Sequence, residues 1–353
     1  MKQLVLVFTT FFLIACASKK VGNIEEIPPK KVEILAKVDD RVLLFRSAFN
    51  YAVEDNVMDS VYRSVTKGYY YNIREKFNPL KNHDLVKFIE SHDYIGVDLP
   101  SIALCFEPET YKLKDNIDRD VLKFKFGKYY QYLDTLSVLL KDYHDKAEAT
   151  NIVIPKLDFT DLDAGFANDS LDIKFNFFFK QKVKHRTILY LDPLNNYVAS
   201  PVSFLKNKDF NTHLLVWYKP SLEDDSTGVA EFDLTYAKYQ QFIISGMISA
   251  VTELLYIKYT GTQFENDLNN PEKNNSRHLP ENLLNYAVNR KFLEYYNYAN
   301  SDSKKNTHQY DTTYQYVYNL FVDYEPNNSS NFEKVYGNAL KQLKTDFYNK
   351  INE

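Results

Sequence analysis

The stretch Thr187-Ile188-Leu189-Tyr190-Leu191, closed by Asp192-Pro193, decides the fold class of this chain of 353 residues. A short run of β-branched, aromatic and leucine side chains that ends in a turn dipeptide predicts a buried strand. A second stretch of the same kind, His213-Leu-Leu-Val-Trp-Tyr218, ends at Lys219-Pro220. Together the two stretches predict a small sheet in the middle of the chain.

Two further segments are strand candidates. Apolar Ile173, Phe175, Phe177 and Phe179 occupy every second position of their segment, and this alternation predicts a half-buried strand. Residues 152–157 are a candidate for a fourth strand. A sheet of this size is too small to close into a barrel.

On both sides of the sheet the apolar residues follow a helical period instead. From residue 40 to 70 they recur at spacings of three and four, as Val42, Phe45, Phe49, Val53, Val57 and Val61. Other helices are predicted near 80–92, 100–106, 118–148, 234–259, 281–299, 310–323 and 331–351, with a polar loop at 262–279. The predicted fold class is therefore α+β, with a helical N-terminal region at 37–150, a small mixed sheet, and a helical C-terminal region.

The N-terminus has the pattern of a bacterial lipoprotein signal. Met1-Lys2 is followed by an apolar run that Leu13-Ile14-Ala15-Cys16 closes. Because the run is too short for a membrane span and a small residue precedes the cysteine, we expect a cleaved signal peptide at 1–15. Cys16 is then predicted to carry the lipid, such as palmitate, and the polar, proline-bearing residues 16–36 to form a tether.

The residues after Cys16 predict where the lipid holds the protein. Ala17 and Ser18 carry no aspartate retention mark, and Lys19-Lys20 stand where surface-exported lipoproteins of some bacteria have acidic runs. We therefore expect an outer-membrane lipoprotein that faces the periplasm.

Composition excludes one class of partner and one kind of cross-link. The chain has 43 Lys+Arg against 47 Asp+Glu, a net charge of −4, so we expect no nucleic-acid partner. With Cys16 acylated, Cys105 is the only cysteine left and no intrachain disulfide is expected; its apolar neighbours predict a buried thiol. The 29 tyrosines against a single tryptophan fit either a sugar-binding or peptide-binding surface, or a general compositional bias.

The motifs of common catalytic classes are missing from the sequence. It contains no HExxH, no G-x-S-x-G turn, no P-loop and no GxGxxG. Asp158, Asp161 and Asp163 match only part of a calcium loop, because the glutamate that completes it is absent. His83 and His92 are each followed by aspartate and are expected to cap helices or lie on the surface. We expect no cofactor.

Several stretches of the first half follow a known pattern. They are Val38-Asp39-Asp40-Arg41-Val42-Leu43-Leu44, residues 71–77, Lys81-Asn82-His83-Asp84-Leu85-Val86, Tyr94, and Asp98-Leu-Pro-Ser-Ile-Ala-Leu104. In their order and spacing the chain resembles an uncharacterised, domain-of-unknown-function family of bacterial secreted proteins and lipoproteins. That family places a helical region before a small sheet and an HExxH helix, as gluzincin-type zinc peptidases do. The resemblance therefore implies a zincin-like layout.

The resemblance also implies that the metal site is degenerate. The family's D-x-x-x-x-x-x-H-E-F-x-H segment is represented here by Asp233-Leu-Thr-Tyr-Ala-Lys-Tyr-Gln-Gln-Phe-Ile-Ile244. In that register Gln240 and Ile244 replace the histidines, Gln241 replaces the glutamate base, and Asn282, or Glu281 beside it, stands at the third ligand. Amides and an isoleucine cannot hold Zn²⁺ or accept a proton from water. We therefore expect residues 151–353 to be a degenerate peptidase-like region without metal or catalytic residues.

Two functional hypotheses follow. The first is a non-catalytic, membrane-tethered scaffold that binds a peptide, a glycan or a partner protein. The second is a hydrolase of another class that uses tyrosines or acids in the cleft where a peptidase of this layout would bind its substrate, for example Glu231, Asp233 and Glu253. Should the protein contain zinc after all, His185, His213 and His278 would be its candidate ligands.

Overall fold

In the part of the chain that the structure describes, the predicted sheet has four strands, one of which comes from the N-terminal region. The computed structural model describes residues 34–52, 74–92, 99–150, 165, 169–180, 187–193, 199–206, 212–218, 236–260, 271–298, 313–328 and 331–351. Within these residues the strands are β1 (Ile34–Val38), β2 (Thr187–Pro193), β3 (Ala199–Pro201) and β4 (Thr212–Tyr218). Their order across the sheet is β1-β2-β4-β3.

The sheet is mixed, and its centre is parallel. Strand β1 pairs in parallel with β2, with Ile34 opposite Thr187, and β2 pairs in parallel with β4, with Thr187 opposite Thr212. Only β3, at one edge, runs antiparallel to its neighbour. The consecutive residues from Ile188 to Leu191 are all 5% exposed or less. Because both faces of the sheet are covered there, the central strands are continuous apolar runs rather than alternating ones.

Helices make up most of the remaining described chain, which confirms the predicted α+β fold class. The α-helices are α1 (Asp40–Ala52), α2 (Asp84–Ser91), α3 (Arg119–Phe126), α4 (Leu133–Ala149), α5 (Leu171–Phe178), α6 (Tyr236–Thr260), α7 (Pro271–Tyr295), α8 (Thr313–Asn319) and α9 (Phe332–Ile351). Short 3₁₀ helices cover Asn78–Leu80, Leu99–Cys105 and Gly127–Tyr132.

The N-terminal helices surround α1. Every residue from Arg41 to Asn50 is buried, since α1 contacts α2, α4 and the 3₁₀ helix Leu99–Cys105. Cys105 is fully buried, as predicted, and burial raises the pKa of its thiol. The single helix predicted at 118–148 is divided into α3 and α4, because Gly127 has a φ of 50° at the C-terminus of α3.

The C-terminal helices pack on the sheet and on one another. Helix α6 contacts β3, β4, α7 and α9. Within the described residues, α6 is also the one helix that is long and apolar enough to cross a membrane, over Tyr239–Thr260. Half of its apolar window is buried inside the protein, as expected for a core helix.

The prediction of a strand through Ile173 and Phe177 is wrong, since this segment lies in helix α5. Ile173 and Phe177 are 62% and 43% exposed, whereas Leu171, Phe175 and Phe178 are at most 1% exposed. The buried positions therefore repeat every three or four residues. A short phenylalanine-rich run satisfies both periods, and packing selects the helix.

Two predicted boundaries also need correction. The loop expected at 262–279 ends earlier, because α7 begins at Pro271, and proline is favoured at the first position of a helix. The tether expected at 16–36 overlaps β1, which begins at Ile34. Residues 53–70, 152–157 and 158–163, to which the sequence assigns part of a helix, a strand and a calcium-like loop, lie outside the described residues.

Glu33–Glu353 form one compact unit. The sheet joins the regions predicted at 37–150 and 151–353, because β1 lies at the start of the first of them and pairs with β2 of the second.

Candidate functional site

The four positions expected to represent a degenerate metal site lie in different surroundings. On α6, Ile244 is fully buried, Gln240 is half-buried and Gln241 is exposed. Asn282 is exposed on α7. Gln240, at the first HExxH-like position, lies among polar side chains described below, whereas Ile244, at the last position, faces the core. These residues therefore do not present a common set of ligand atoms.

Gln240 instead belongs to a polar cluster that we name the Asp169 cluster, made of Asp169, Lys174, Gln240 and Tyr298. The Gln240 amide donates to Asp169 Oδ2 at 3.0 Å. Lys174 Nζ and the Tyr298 hydroxyl both donate to Asp169 Oδ1, at 2.8 and 2.6 Å. Lys174 Nζ also lies 2.7 Å from the Tyr298 hydroxyl oxygen and 4.5 Å from the centre of its ring. One carboxylate therefore accepts three hydrogen bonds.

Two left-handed residues bring the cluster together. Ser170 has a φ of 53° and turns the chain from Asp169 into α5, where Lys174 lies about one turn further on. Asn297 has a φ of 56° after α7, and Tyr298 N donates to Leu293 O at 2.9 Å, the long hydrogen bond of a Schellman motif. This chain reversal carries Tyr298 to the Asp169 carboxylate.

The electrostatics of the cluster keep its protons in place. Burial raises the pKa of Tyr298, and the hydrogen bond to the Asp169 carboxylate raises it further. The phenol therefore stays protonated at neutral pH and acts as a donor. A carboxylate that already accepts from an ammonium, a phenol and an amide is a poor general base. The cluster links α5, α6 and the end of α7 rather than presenting a reactive group.

Of the acids named for the alternative hydrolase, the structure describes Glu253. Its Oε2 lies 3.1 Å from Lys125 Nζ, and the two side chains are only 4% and 9% exposed. This ion pair joins α6 to α3 inside the protein. Glu231 and Asp233 lie outside the described residues.

Two more buried ion pairs, which no sequence pattern predicted, lie at the carboxyl ends of the parallel strands. Asp39, directly after β1, accepts from Arg41 Nε at 2.7 Å. Burial alone would raise the pKa of Asp39, but the hydrogen bond and charge of Arg41 outweigh it, so this pKa is lowered. Asp192, at the end of β2, accepts from Arg46 Nε at 3.0 Å. An aspartate at the end of an apolar strand and arginines within an apolar helix were the signals available in the sequence.

The histidines take structural positions in the part of the chain that the structure describes. His83 is the N-cap of α2, where its ring accepts from Leu85 N at 3.0 Å, as expected. His213 is 4% exposed on β4, and burial, followed by the charges of Lys114 and Lys37, lowers its pKa to about 4. The side chains of His185 and His278 lie outside the described residues.

A cluster of metal-type ligands occurs on α4, at positions that the sequence analysis did not select. Ligand atoms of His144, Asp145 and Glu148 lie within 4.8 Å of one another. Both oxygens of Asp145 already accept from Lys141 at 2.6 Å. Because a lysine neutralises the central carboxylate, and Asp145 and Glu148 are exposed, these residues serve as surface charge pairs along the helix.

Comparisons with models of protein families, with curated proteins and with solved structures find no match to this chain. The fold and the clusters above define a mixed α+β protein with a helix-covered, mostly parallel sheet. The resemblance to zinc-peptidase-like lipoproteins stays a prediction.

Proposed function

We propose that this protein is a membrane-tethered lipoprotein that binds a ligand and does not hydrolyse it. In this proposal Cys16 carries the lipid, and the folded unit faces the periplasm at the outer membrane. The ligand belongs to the classes expected from the sequence, namely a peptide, a glycan or a partner protein.

The observation that carries the proposal is the placement of residues 240 and 244. A catalytic zinc site needs about three ligands together with an ordered water whose pKa the metal lowers. Ile244 faces the core, and the Gln240 amide donates to Asp169, so neither can serve as such a ligand. In the expected register, the residues of α6 that replace HExxH therefore supply neither the two zinc-binding histidines nor the glutamate base.

The arrangement of the other polar groups also supports binding over hydrolysis. Asp169 and Glu253 are each held by a lysine, and Tyr298 has a raised pKa. These three groups are therefore engaged in contacts within the protein rather than available to exchange a proton with a substrate.

One route of peptide binding is disfavoured at the β3 edge of the sheet. A peptide can add as a strand only where an edge offers free backbone groups. Strand β3 has three residues and ends in Pro201, which has no N–H to donate. Short edge strands that contain proline resist strand addition, so a surface groove is the better binding site.

The experiment that tests the proposal is a metal and activity assay on the purified protein. We expect no stoichiometric zinc, no peptidase activity, and the same melting temperature with and without a chelator. A zinc ion bound only by the native state would add about 4 kcal/mol at a thousandfold excess over Kd, so its removal would lower the melting temperature by several degrees. An active zinc peptidase purified in parallel is the control.

Near-equimolar zinc, together with a chelator-induced drop in melting temperature, would contradict the proposal. His185, His213 and His278 would then be the first residues to substitute.

A further inference from the structure

A groove on the outer side of α9 has the features of a ligand site. We name it the α9 groove; three lysines line it, Lys334, Lys341 and Lys344, together with Tyr259 from the end of α6. Its volume is about 570 Å³. Small-molecule sites commonly have volumes of about 300–1,000 Å³, so the groove can hold a ligand of a few rings.

The lysines follow one stripe of the helix. Lys334, Lys341 and Lys344 are separated by seven and three residues, spacings that keep side chains on the same helical face. At a rise of about 1.5 Å per residue, Lys334 and Lys341 are about 10 Å apart along the axis, and the whole stripe spans about 15 Å. A single phosphate cannot reach all three ammonium groups, but a chain with several negative charges can.

Tyr259 forms a fixed aromatic platform in the groove. A Cβ atom at Gly337 would lie 2.6 Å from Tyr259 Cζ, so the ring packs directly on the α9 backbone. The Tyr259 hydroxyl donates to Glu333 O at 3.1 Å. The side chain is nevertheless 41% exposed, so the platform is both held in place and accessible.

Two lysines of the groove, Lys334 and Lys341, are not neutralised by acids in the described part of the chain. Glu333, the acid next to Lys334 in the sequence, is engaged by Lys258 at 2.6 Å. Neither Lys334 nor Lys341 forms an ion pair with a residue that the structure describes. The groove therefore concentrates positive charge on a chain whose net charge is −4.

We propose that the α9 groove binds an anionic glycan, a saccharide chain that carries carboxylates. The apolar face of a sugar ring can stack on the Tyr259 ring, and the carboxylates can pair with Lys334 and Lys341. Asn338 and Thr345 also line the groove and supply an amide and a hydroxyl for sugar hydroxyl groups.

An acidic peptide fits the groove less well than a glycan. The backbone N–H and C=O groups of α9 are used within the helix, so an extended peptide would find no backbone partners along this face. Sugar hydroxyl groups need only side chains and water. This is the reason for preferring a saccharide over a peptide of the same charge.

The test is calorimetric titration of the full chain in a non-ionic polyoxyethylene detergent, which contains no sugar. The probe is tetragalacturonate, and the matched ligands are neutral maltotetraose and tetraglutamate. We expect tetragalacturonate to bind, and to bind at least tenfold more tightly than either matched ligand. Absence of binding at millimolar tetragalacturonate, or equal binding of tetraglutamate, would overturn the proposal.

Variants locate the binding. Lys334→Gln and Lys341→Gln should each weaken binding about threefold, and the double variant about tenfold, as expected for solvent-exposed ion pairs. Gly337→Ala should also weaken it, because the new Cβ displaces the Tyr259 ring. Lys81→Gln, an exposed lysine elsewhere, should leave binding unchanged. Equal effects of Lys81→Gln and Lys341→Gln, or no effect of the double variant, would refute the site.

The glycan proposal names a surface and a ligand class, which the proposed function leaves open. It rests on the proposed function only because both describe a protein that binds a ligand. The Cys16→Ala protein should bind tetragalacturonate as the parent does, so a failure of the lipid-anchor proposal and a failure of the glycan proposal can be told apart.

Discussion

Arg46 and Asp192 place two full charges in the interior, at 2% and 0% side-chain exposure. Burying single charges is costly, so such a pair is tolerated only when each partner satisfies the other. His213 is also buried, but it is accommodated without a charge. It is buried on β4 beside the Tyr190 hydroxyl, 3.3 Å from its Nδ1, and remains neutral because its pKa is lowered to about 4.

Neutral burial of His213 predicts that the protein loses stability in weak acid. In the unfolded chain its pKa is about 6.5, so between pH 6.5 and about 4 the unfolded state binds more protons, and stability falls as the pH falls. At pH 5 the loss relative to pH 7.5 should be about 2 kcal/mol from this residue. Denaturant unfolding at the two pH values measures it.

The matched variants are His213→Asn and Gln241→Asn, the second at an exposed residue of α6 that does not titrate. Since the first removes the titrating group, its loss between pH 7.5 and 5 should be about 2 kcal/mol smaller than that of the parent, while the second keeps the parental dependence. The same pH dependence in the His213→Asn variant would show that the buried histidine is not the cause.

At the scale of elements, α6 organises the C-terminal half because it packs closely on the sheet and pairs its polar side chains with α7. On the α7 side, Asn289 Nδ2 donates to Ser245 Oγ at 3.0 Å and Asn285 Nδ2 to Ser249 Oγ at 2.7 Å. These two hydrogen bonds, one turn apart, fix the register of the two helices. On the sheet side the approach depends on Gly246.

Gly246→Ala should destabilise the protein. The added Cβ would lie 2.8 Å from Ala199 Cβ and 2.9 Å from Ala199 O, so the backbone of β3 would have to move. We expect a loss of about 1–3 kcal/mol in the free energy of unfolding, although alanine is favoured over glycine in a helix by about 1 kcal/mol. Denaturant unfolding at neutral pH is the measurement.

Gly337→Ala on α9 is the control, because its Cβ meets the end of the Tyr259 side chain rather than backbone. The Cβ would push the ring away and break its hydrogen bond to Glu333 O, but the higher helix propensity of alanine offsets this loss, so the variant should be close to the parent in stability. If Gly246→Ala were as stable as Gly337→Ala, α6 would not lie in close contact with the β3 backbone.

At the scale of the whole molecule, a single sheet joins distant parts of the chain into one unit. Strand β1 begins at Ile34 and is the parallel neighbour of β2, which begins at Thr187. The cysteine predicted to carry the lipid, Cys16, precedes β1 by fewer than twenty residues of sequence.

Substitution of Cys16 by alanine tests the anchor. Because acylation needs the cysteine sulfur, the Cys16→Ala protein should be uncleaved or soluble, while the parent stays with membranes after a carbonate wash. Fractionation followed by immunoblotting measures this, and Cys105→Ala is the matched control, since its buried thiol should not affect anchoring. Retention in washed membranes of a Cys16→Ala protein that has lost its signal peptide would contradict the lipoprotein prediction.

Local sequence patterns predicted most of the elements. The apolar runs ending at Asp192 and Tyr218 indicated the central strands, because a strand covered on both faces is continuously apolar. A long segment with apolar residues at helical spacing predicted α6 to within a few residues, since a helix of this length cannot be mistaken for a strand. The absence of HExxH was likewise a property of the sequence alone.

Tertiary packing decided the rest, because the groups involved are far apart in the chain. The phenylalanine-rich segment from Ile173 to Phe179 fits a strand or a helix, and the contacts of Phe175 and Phe178 with Phe292 on α7 favour the helix. The Arg46–Asp192 pair spans 146 residues, and no local pattern encodes it. The polar cluster at Asp169 depends on how three separate elements pack. What the sequence by itself determined is therefore most of the local elements and the absence of an HExxH motif, and only the tertiary structure decided which polar groups meet.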